Sequence, residues 1–355
     1  MTFKHFAKPF AAMVLPIALL LMASANAGAQ VSHAGPPIEI LKNGGHTITG
    51  WIGPAYDVDK YTIFAAQGES VQLRMVDLGG VGLDPQMNVY KPDGSLQDWD
   101  WGSTVAGVSF AAPVTGFYSI VVRDYNSGSG TGPYRINYVR APGSNENGTL
   151  PNGGSVLGAL GVGDLDSYTF TASQGDSIQL RMNDVNGLAL NPQMNVYKPN
   201  GSIQAWDWSD EVAGVGFAAP MTGTYTVVVM DYNNGGQNGV YEIHYARAPG
   251  ANEHGTLTNF GTMTGTIDKG DLDSYTFTVT QGKSIHLEME DLGGVGLEPL
   301  IHIYRPNGSL QTYDWGSNLA VVDFVAPVGG VYTLVVMDYN IGAGMGPYEI
   351  YYTQQ

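Results

Sequence analysis

The chain has 355 residues, no cysteine, and 32 acidic against 15 basic side chains, a formal net charge of −17. That length exceeds one ordinary domain, and the lack of cysteine excludes disulfides and a cysteine-linked lipid anchor. The acidic surface disfavours nucleic acid and anionic lipid, and suits cations, neutral polymers or basic partners.

Residues 1–27 read as a secretory leader. Lys4 and Lys8 supply the positive start, Ala11 to Ala23 the apolar run, and Ala25-Asn26-Ala27 a small-residue cleavage site. Pro16 interrupts the run, which is shorter than the roughly 20 apolar residues of a membrane span. No later segment is apolar enough to be transmembrane. Cleavage leaves 13 basic against 32 acidic residues, a net charge of −19, on a protein expected to be secreted or on the cell surface. Residues 28–45 form a Gly- and Pro-bearing lead.

The rest is one unit written three times. Tyr61, Tyr168 and Tyr275 are separated by 107 residues at each step, and the same step relates Pro85, Pro192 and Pro299; Trp101, Trp208 and Trp315; and Asp124, Asp231 and Asp338. Such a period is far above the roughly 20–50 residues of solenoids. Domains are therefore expected over 46–143, 144–250 and 251–355, with linkers from Ala141 to Gly154 and from Ala248 to Gly261.

Within the first copy, short β-rich runs predict strands near 47–52, 60–66, 70–77, 85–91, 95–101, 106–112, 117–124 and 133–140. The fold class is all-β: three tandem β-sandwich (jelly-roll-like) domains of about eight short strands each. In Val71-Gln72-Leu73-Arg74-Met75 the alternation sends the apolar residues inward and leaves Gln72 and Arg74 in water. Pro92-Asp93-Gly94-Ser95 and its two counterparts read as hairpin turns.

Three motifs carry a resemblance. They are Gly-Asp-x-Asp-x-Tyr-x-Phe (Gly163 to Phe170, Gly270 to Phe277), Pro-x-x-x-x-Tyr-x-Pro-x-Gly-Ser (from Pro85, Pro192 and Pro299), and Ala-Pro-x-x-Gly-x-Tyr-x-x-x-Val with a closing Gly-Pro-Tyr. On these the chain resembles the bacterial pre-peptidase C-terminal domain three times over. The resemblance implies a small β-sandwich, usually appended to secreted proteases and other exported enzymes. Similar clostridial collagen-binding modules hold calcium near the first strand. No catalytic domain precedes the repeats here, so the usual accessory role is not carried over.

Asp57/Asp59, Asp164/Asp166 and Asp271/Asp273 alternate at the start of a strand. Hard oxygen donors in a loop are what Ca²⁺ takes, and Glu146 and Glu253, from the Asn-Glu pairs upstream of the second and third copies, can add to them as the resemblance suggests. The competing reading is that these aspartates cap turns through their own backbone. Asp124-Tyr125-Asn126 and its repeats read as turns that end a strand.

Trp99 and Trp101, Trp206 and Trp208, and Tyr313 and Trp315 lie two apart on a predicted strand, so each pair shares a face. Exposed, such rings stack on sugar rings or on collagen-like surfaces, while Asp100, Asp207 and Asp314 between them accept hydrogen bonds. The competing reading turns one ring of each pair into the core. The histidines His46, His244, His254, His286 and His302 do not recur between copies, and no nucleophile elbow, zinc-protease or phosphate-loop motif is present. The chain thus reads as a secreted, non-catalytic, multivalent protein of the cell surface or matrix that binds a polymer, either polysaccharide or fibrous protein, with Ca²⁺ as stabiliser. The alternatives are an extracellular polymer-degrading enzyme and a self-assembling coat or matrix protein.

Overall fold

A computed structural model describes residues 39–43, 46–53, 56–126, 129–185, 190–232, 235–340, 342 and 344–355. The expected leader over 1–27 and most of the lead that follows it lie outside the described residues. Residues 35–355 form one compact unit.

The described residues contain strands and no helix. The first copy holds β1 (Glu39–Ile40), β2 (His46–Ile52), β3 (Val58–Ala65), β4 (Ser70–Asp77), β5 (Pro85–Tyr90), β6 (Leu96–Trp101), β7 (Val105–Ala111), β8 (Gly116–Asp124) and β9 (Gly132–Ala141). They form two sheets, β1-β3-β8-β5-β6 and β2-β9-β4-β7. Eight of the nine match the strands expected from alternation, with ends differing by one or two residues.

The second copy repeats this as β10 (Gly154–Leu160), β11 (Asp166–Ala172), β12 (Ser177–Asp184), β13 (Pro192–Tyr197), β14 (Ile203–Trp208), β15 (Val212–Ala218), β16 (Gly223–Asp231) and β17 (Gly239–Ala248). The third does so as β18 (Gly261–Ile267), β19 (Asp273–Val279), β20 (Ser284–Asp291), β21 (Pro299–Tyr304), β22 (Leu310–Trp315), β23 (Leu319–Val325), β24 (Gly330–Asp338) and β25 (Gly346–Gln354). Their sheets run β11-β16-β13-β14 with β10-β17-β12-β15, and β19-β24-β21-β22 with β18-β25-β20-β23. Each copy is therefore a tandem β-sandwich of the same topology.

Each sandwich has its own apolar core, drawn from residues 41–138, 150–245 and 257–352. The recurring tyrosine is central to each. Tyr168 Oη lies 2.7 Å from Tyr241 Oη, and Tyr241 donates to Asp166 Oδ2 at 2.6 Å; Tyr61, Tyr134 and Asp59 repeat the relay, as do Tyr275, Tyr348 and Asp273. A buried hydroxyl needs a partner, and here each phenol supplies one for the next. Gly158 makes room for this ring: a Cβ there would lie 2.3 Å from Tyr241 Cζ. Gly158→Ala is expected to destabilise the second copy by about 1–3 kcal/mol, read as a lower urea midpoint; an unchanged midpoint would show that the ring yields freely.

The copies also pack on one another. Val139 and Ala141 of the first copy join Leu165, Tyr197, Val228 and Met230 of the second in one buried cluster. Ala246, Ala248 and Ala251 do the same with Leu272, Tyr304, Val335 and Met337. The polar contacts recur as well. Gln72 Nε2 donates to Tyr197 Oη at 2.5 Å and Gln179 Nε2 to Tyr304 Oη at 3.0 Å; Arg74 Nη2 donates to the Asp231 carbonyl at 3.3 Å and Arg181 Nη2 to that of Asp338 at 2.9 Å. The expectation that Gln72 and Arg74 stand in water is thus overturned: they are 4% and 9% exposed, because the neighbouring copy covers the outer face of their sheet. Burial lowers Arg74 to about 10, against the opposing pull of Asp231 and Asp164, so it stays charged.

Candidate functional site

Edge strands β6, β14 and β22 carry the aromatic pairs. All six rings are exposed, from 38% for Trp208 to 58% for Tyr313, so none turns into the core. Register explains the placement. Trp101 lies opposite Gln86 and Trp99 opposite Asn88, on the face of the sheet that looks away from the sandwich core.

The second ring of each pair is backed by a tyrosine. Trp101 stacks on Tyr125 with centroids 4.0 Å apart, Trp208 on Tyr232 at 3.7 Å, and Trp315 on Tyr339 at 4.0 Å, with planes within 7° of parallel. These are the tyrosines of the Asp-Tyr-Asn motif, and the three-fold repetition of both residues was the signal that could have linked them. The motif's aspartates are buried clamps: Asp124 Oδ1 accepts from Asp84 N and its Oδ2 from Gly130 N, and Asp231 and Asp338 repeat the bond across 40 residues. They hold the loop that presents the tyrosine. The carboxylates between the rings are also committed. Asp100 accepts from Gly107 N, Asp207 from Gly214 N and Asp314 from Val321 N, each at 2.8 Å, so these bonds tie the edge strand to the opposite sheet rather than reaching outward.

Beside the second platform, a cleft of about 200 Å³ opens at the seam between the first two copies, lined by Gln72, Arg74 and Ser109 on one side and Gln193, Asn195 and Tyr232 on the other. Sequence reasoning missed it, since it exists only once two copies are packed. At the corresponding positions in the third copy, Leu300 and His302 replace Gln193 and Asn195.

The carboxylates at the first strand divide by copy. In the second copy, burial together with the charges of Asp166 and Asp164 pushes Glu146 up to about 7, and burial together with the charge of Asp164 raises Asp166 to about 6, against the hydrogen bond from Tyr241. Asp164 Oδ2 accepts from Gly161 N and its Oδ1 from Leu165 N, so this aspartate caps its own turn as Asp57 does in the first copy. In the third copy, Glu253, His254 and Asp273 offer ligand atoms all within 4.8 Å of one another. There His254 Nε2 sits 2.7 Å from Asp273 Oδ1, and His244 Nδ1, from β17 of the second copy, sits 3.0 Å from Asp271 Oδ1; burial and the neighbouring carboxylates still raise Glu253 to about 7 and Asp273 to about 6, as in the second copy. Burial would raise Asp271, but the hydrogen bond and charge of His244 outweigh it and hold the carboxyl below its usual range. In the first copy, Asp57 accepts from Gly53 N and Asp59 from Tyr134, in the manner of a turn cap and a core relay. The eight residues therefore do not form three equal sites: among the described residues only the third copy's Glu253 and Asp273, with His254, bring three ligand atoms together.

Fold and site define a class: tandem β-sandwiches that present one backed aromatic platform per copy. Residues 164–230 and 271–337, in the second and third copies, are each matched by the model of the bacterial pre-peptidase C-terminal domain. The expected resemblance is thus found in two of three copies, and the first copy shares their strand order. No curated protein matches the chain. Among solved structures, the pre-peptidase C-terminal domain of a collagenase from Bacillus anthracis is 25% identical, covering 29% of this chain and 96% of that one with a TM-score of 0.25. A human MASP-1/3 CUB1-EGF-CUB2 fragment is 11% identical over 58% of this chain and 100% of that one, with a TM-score of 0.19. A triple jelly-roll protein of an archaeal virus is 9% identical over 88% and 89%, with a TM-score of 0.20. None of the three superposes well enough to carry a functional argument. No helix among the described residues is long and apolar enough to cross a membrane.

Proposed function

We propose that the chain is an exported, non-catalytic binding protein that holds a repetitive extracellular polymer, a polysaccharide or a collagen-like fibrous protein, through one aromatic platform per copy. Ca²⁺ held by Glu146, Asp164 and Asp166 braces the linker and first strand of the second copy. The observation that carries this reading is the platform itself: the same exposed ring pair, backed by the same stacked tyrosine, recurs in all three copies. Rings of that size left in water cost burial energy that the core forgoes. Flat, rigid, exposed aromatic faces are suited to stacking on sugar rings or proline-rich chains. The match to a domain usually appended to secreted proteases supports an extracellular setting.

Depletion of the protein from solution by insoluble chitin, cellulose, alginate gel and collagen, with Ca²⁺ and with a chelator, tests the reading. Selective, saturable depletion is expected for one polymer class. Trp206→Ala should weaken it while leaving stability within about 0.5 kcal/mol, as for an exposed site. Loss of folding in that variant, or no depletion by any polymer, would count against the platform.

A further inference from the structure

We propose that the cleft beside the second platform is a sugar subsite. The second copy and the sheet of the first that covers it together hold one pyranose unit of a neutral polysaccharide, whose neighbouring unit stacks on Trp206 and Trp208. The inference rests on the platform reading above and narrows it from polymer in general to polysaccharide.

Placement comes first. Gln193 pairs with Trp208 and Asn195 with Trp206 across the β13-β14 ladder, and directly paired residues point to the same face of a sheet. The two amides therefore lie beside the two rings, and Tyr232, which stacks on Trp208, lines the cleft as well. Ring and cleft make one continuous surface. Gln72, Arg74 and Ser109 of the first copy supply its opposite wall.

The chemistry of the lining is of one kind. The amides of Gln72, Gln193 and Asn195 and the hydroxyls of Ser109 and Tyr232 both donate and accept hydrogen bonds, as sugar hydroxyls do. A proline-rich chain offers mostly acceptors and would leave the acceptors of this wall unpaired, at a cost. Internal bonds hold the amides in place: Gln72 Nε2 donates to Tyr197 Oη at 2.5 Å and Gln193 Nε2 to Asn195 Oδ1 at 3.3 Å, and groups fixed before binding lose less freedom on it. Asp231 and Asp164 answer the charge of Arg74, so the cleft presents polarity without surplus charge. A neutral sugar suits it better than a uronate. Its volume of about 200 Å³ is below the roughly 300–1,000 Å³ of pockets for drug-sized ligands, and leaves room for a single ring.

The second seam shows the same junction without these groups. Gly216 stands there for Ser109, and Leu300 and His302 for Gln193 and Asn195. Gln179 Nε2 donates to Tyr304 Oη at 3.0 Å with His302 Nδ1 3.5 Å away, and the His302 ring packs edge-on to Tyr313 with centroids 5.6 Å apart. Those side chains satisfy one another, so the sugar-facing amides are particular to the first seam.

The test is titration of the purified protein, leader removed, with soluble chito- and cello-oligosaccharides, alginate oligosaccharides and a collagen-like peptide, followed by tryptophan fluorescence. A neutral oligosaccharide is expected to bind. Gln193→Leu with Asn195→His, the residues that the third copy carries at those positions, should weaken that binding about tenfold or more. Ser109→Leu should do the same from the first copy's wall; Ser109 is exposed, and an unchanged melting temperature checks the fold of each variant. Affinity that both variants leave unchanged but Trp206→Ala abolishes would overturn the subsite while the platform stands. Tighter binding of alginate or of the peptide than of both neutral sugars would overturn it too, as would retention on an insoluble polymer with no binding of either neutral oligosaccharide. No binding and no retention of any kind would remove platform and subsite together.

Discussion

Replacing Trp99, Trp206 and Tyr313 together by alanine is expected to lower retention on the polymer by a factor of about 10²–10⁴, far more than any single replacement. The three rings occupy one position in the three copies, all are exposed, and none is the ring that stacks on a tyrosine. Their loss therefore removes contact surface while the backed rings Trp101, Trp208 and Trp315 stay in place. Base-level folding should persist, because the cores draw on none of them. Binding isotherms on the retained polymer, with single, double and triple variants, give the readout. Equal losses at every step would indicate independent sites, and a collapse of the fold would return the rings to a structural role.

The second large effect concerns Ca²⁺ and pH. Glu146 is raised to about 7 and Asp166 to about 6, above ordinary carboxyl values. The folded state then binds more protons than the unfolded chain between roughly pH 4 and 7, so in chelator stability falls as pH rises through that window. The penalty is absent below the unfolded pKa values and complete above pH 7. A cation held by these carboxylates reverses the trend, since it binds the ionised form and stabilises the native state by about 2.7 kcal/mol at a hundred times its dissociation constant. Thermal melts at pH 5 and pH 8, each with Ca²⁺ and with chelator, should show a large calcium effect only at pH 8. Glu146→Gln should lessen the pH trend in chelator, to which Asp166, Glu253 and Asp273 also contribute, and remove much of the calcium response. A calcium response equal at both pH values would rule out these groups as the ligands.

Strand positions were legible because alternation and turn residues are local. Val71, Leu73 and Met75 all enter the first core, and the Pro-Asp-Gly-Ser turn does join β5 to β6, with Gly94 at a φ of +81°. What alternation cannot register is whether the face opposite the core meets water or another copy. Gln72 and Arg74 were misplaced for that reason, although Gln-Leu-Arg-Met in the two copies whose outer face is covered becomes His-Leu-Glu-Met in the third. Asp100, Asp207 and Asp314 were expected to accept bonds from a ligand, yet their partners are amides of the opposite sheet, 7 residues on in sequence. Strand pairing and sheet stacking bring those groups together. His254 and His244 were set aside because they do not recur. His254, at the position of Asn147, meets Asp273 within the third copy, and His244, at the position of Asn137 on β17 of the second copy, reaches across the seam to Asp271.

The linkers do more than connect. Leu150 and Leu257 enter the core of the copy that follows them, Ser144 and Ala251 are fully buried, and Gly143 and Gly250 are tied to the next copy's threonines. Nothing in that arrangement behaves as a tether, so the three platforms sit at a set pitch, like the marks on a ruler. A polymer whose own repeat keeps step with that pitch engages all three marks at once without ordering the protein first; one that falls out of step holds by a single mark, whatever its chemistry.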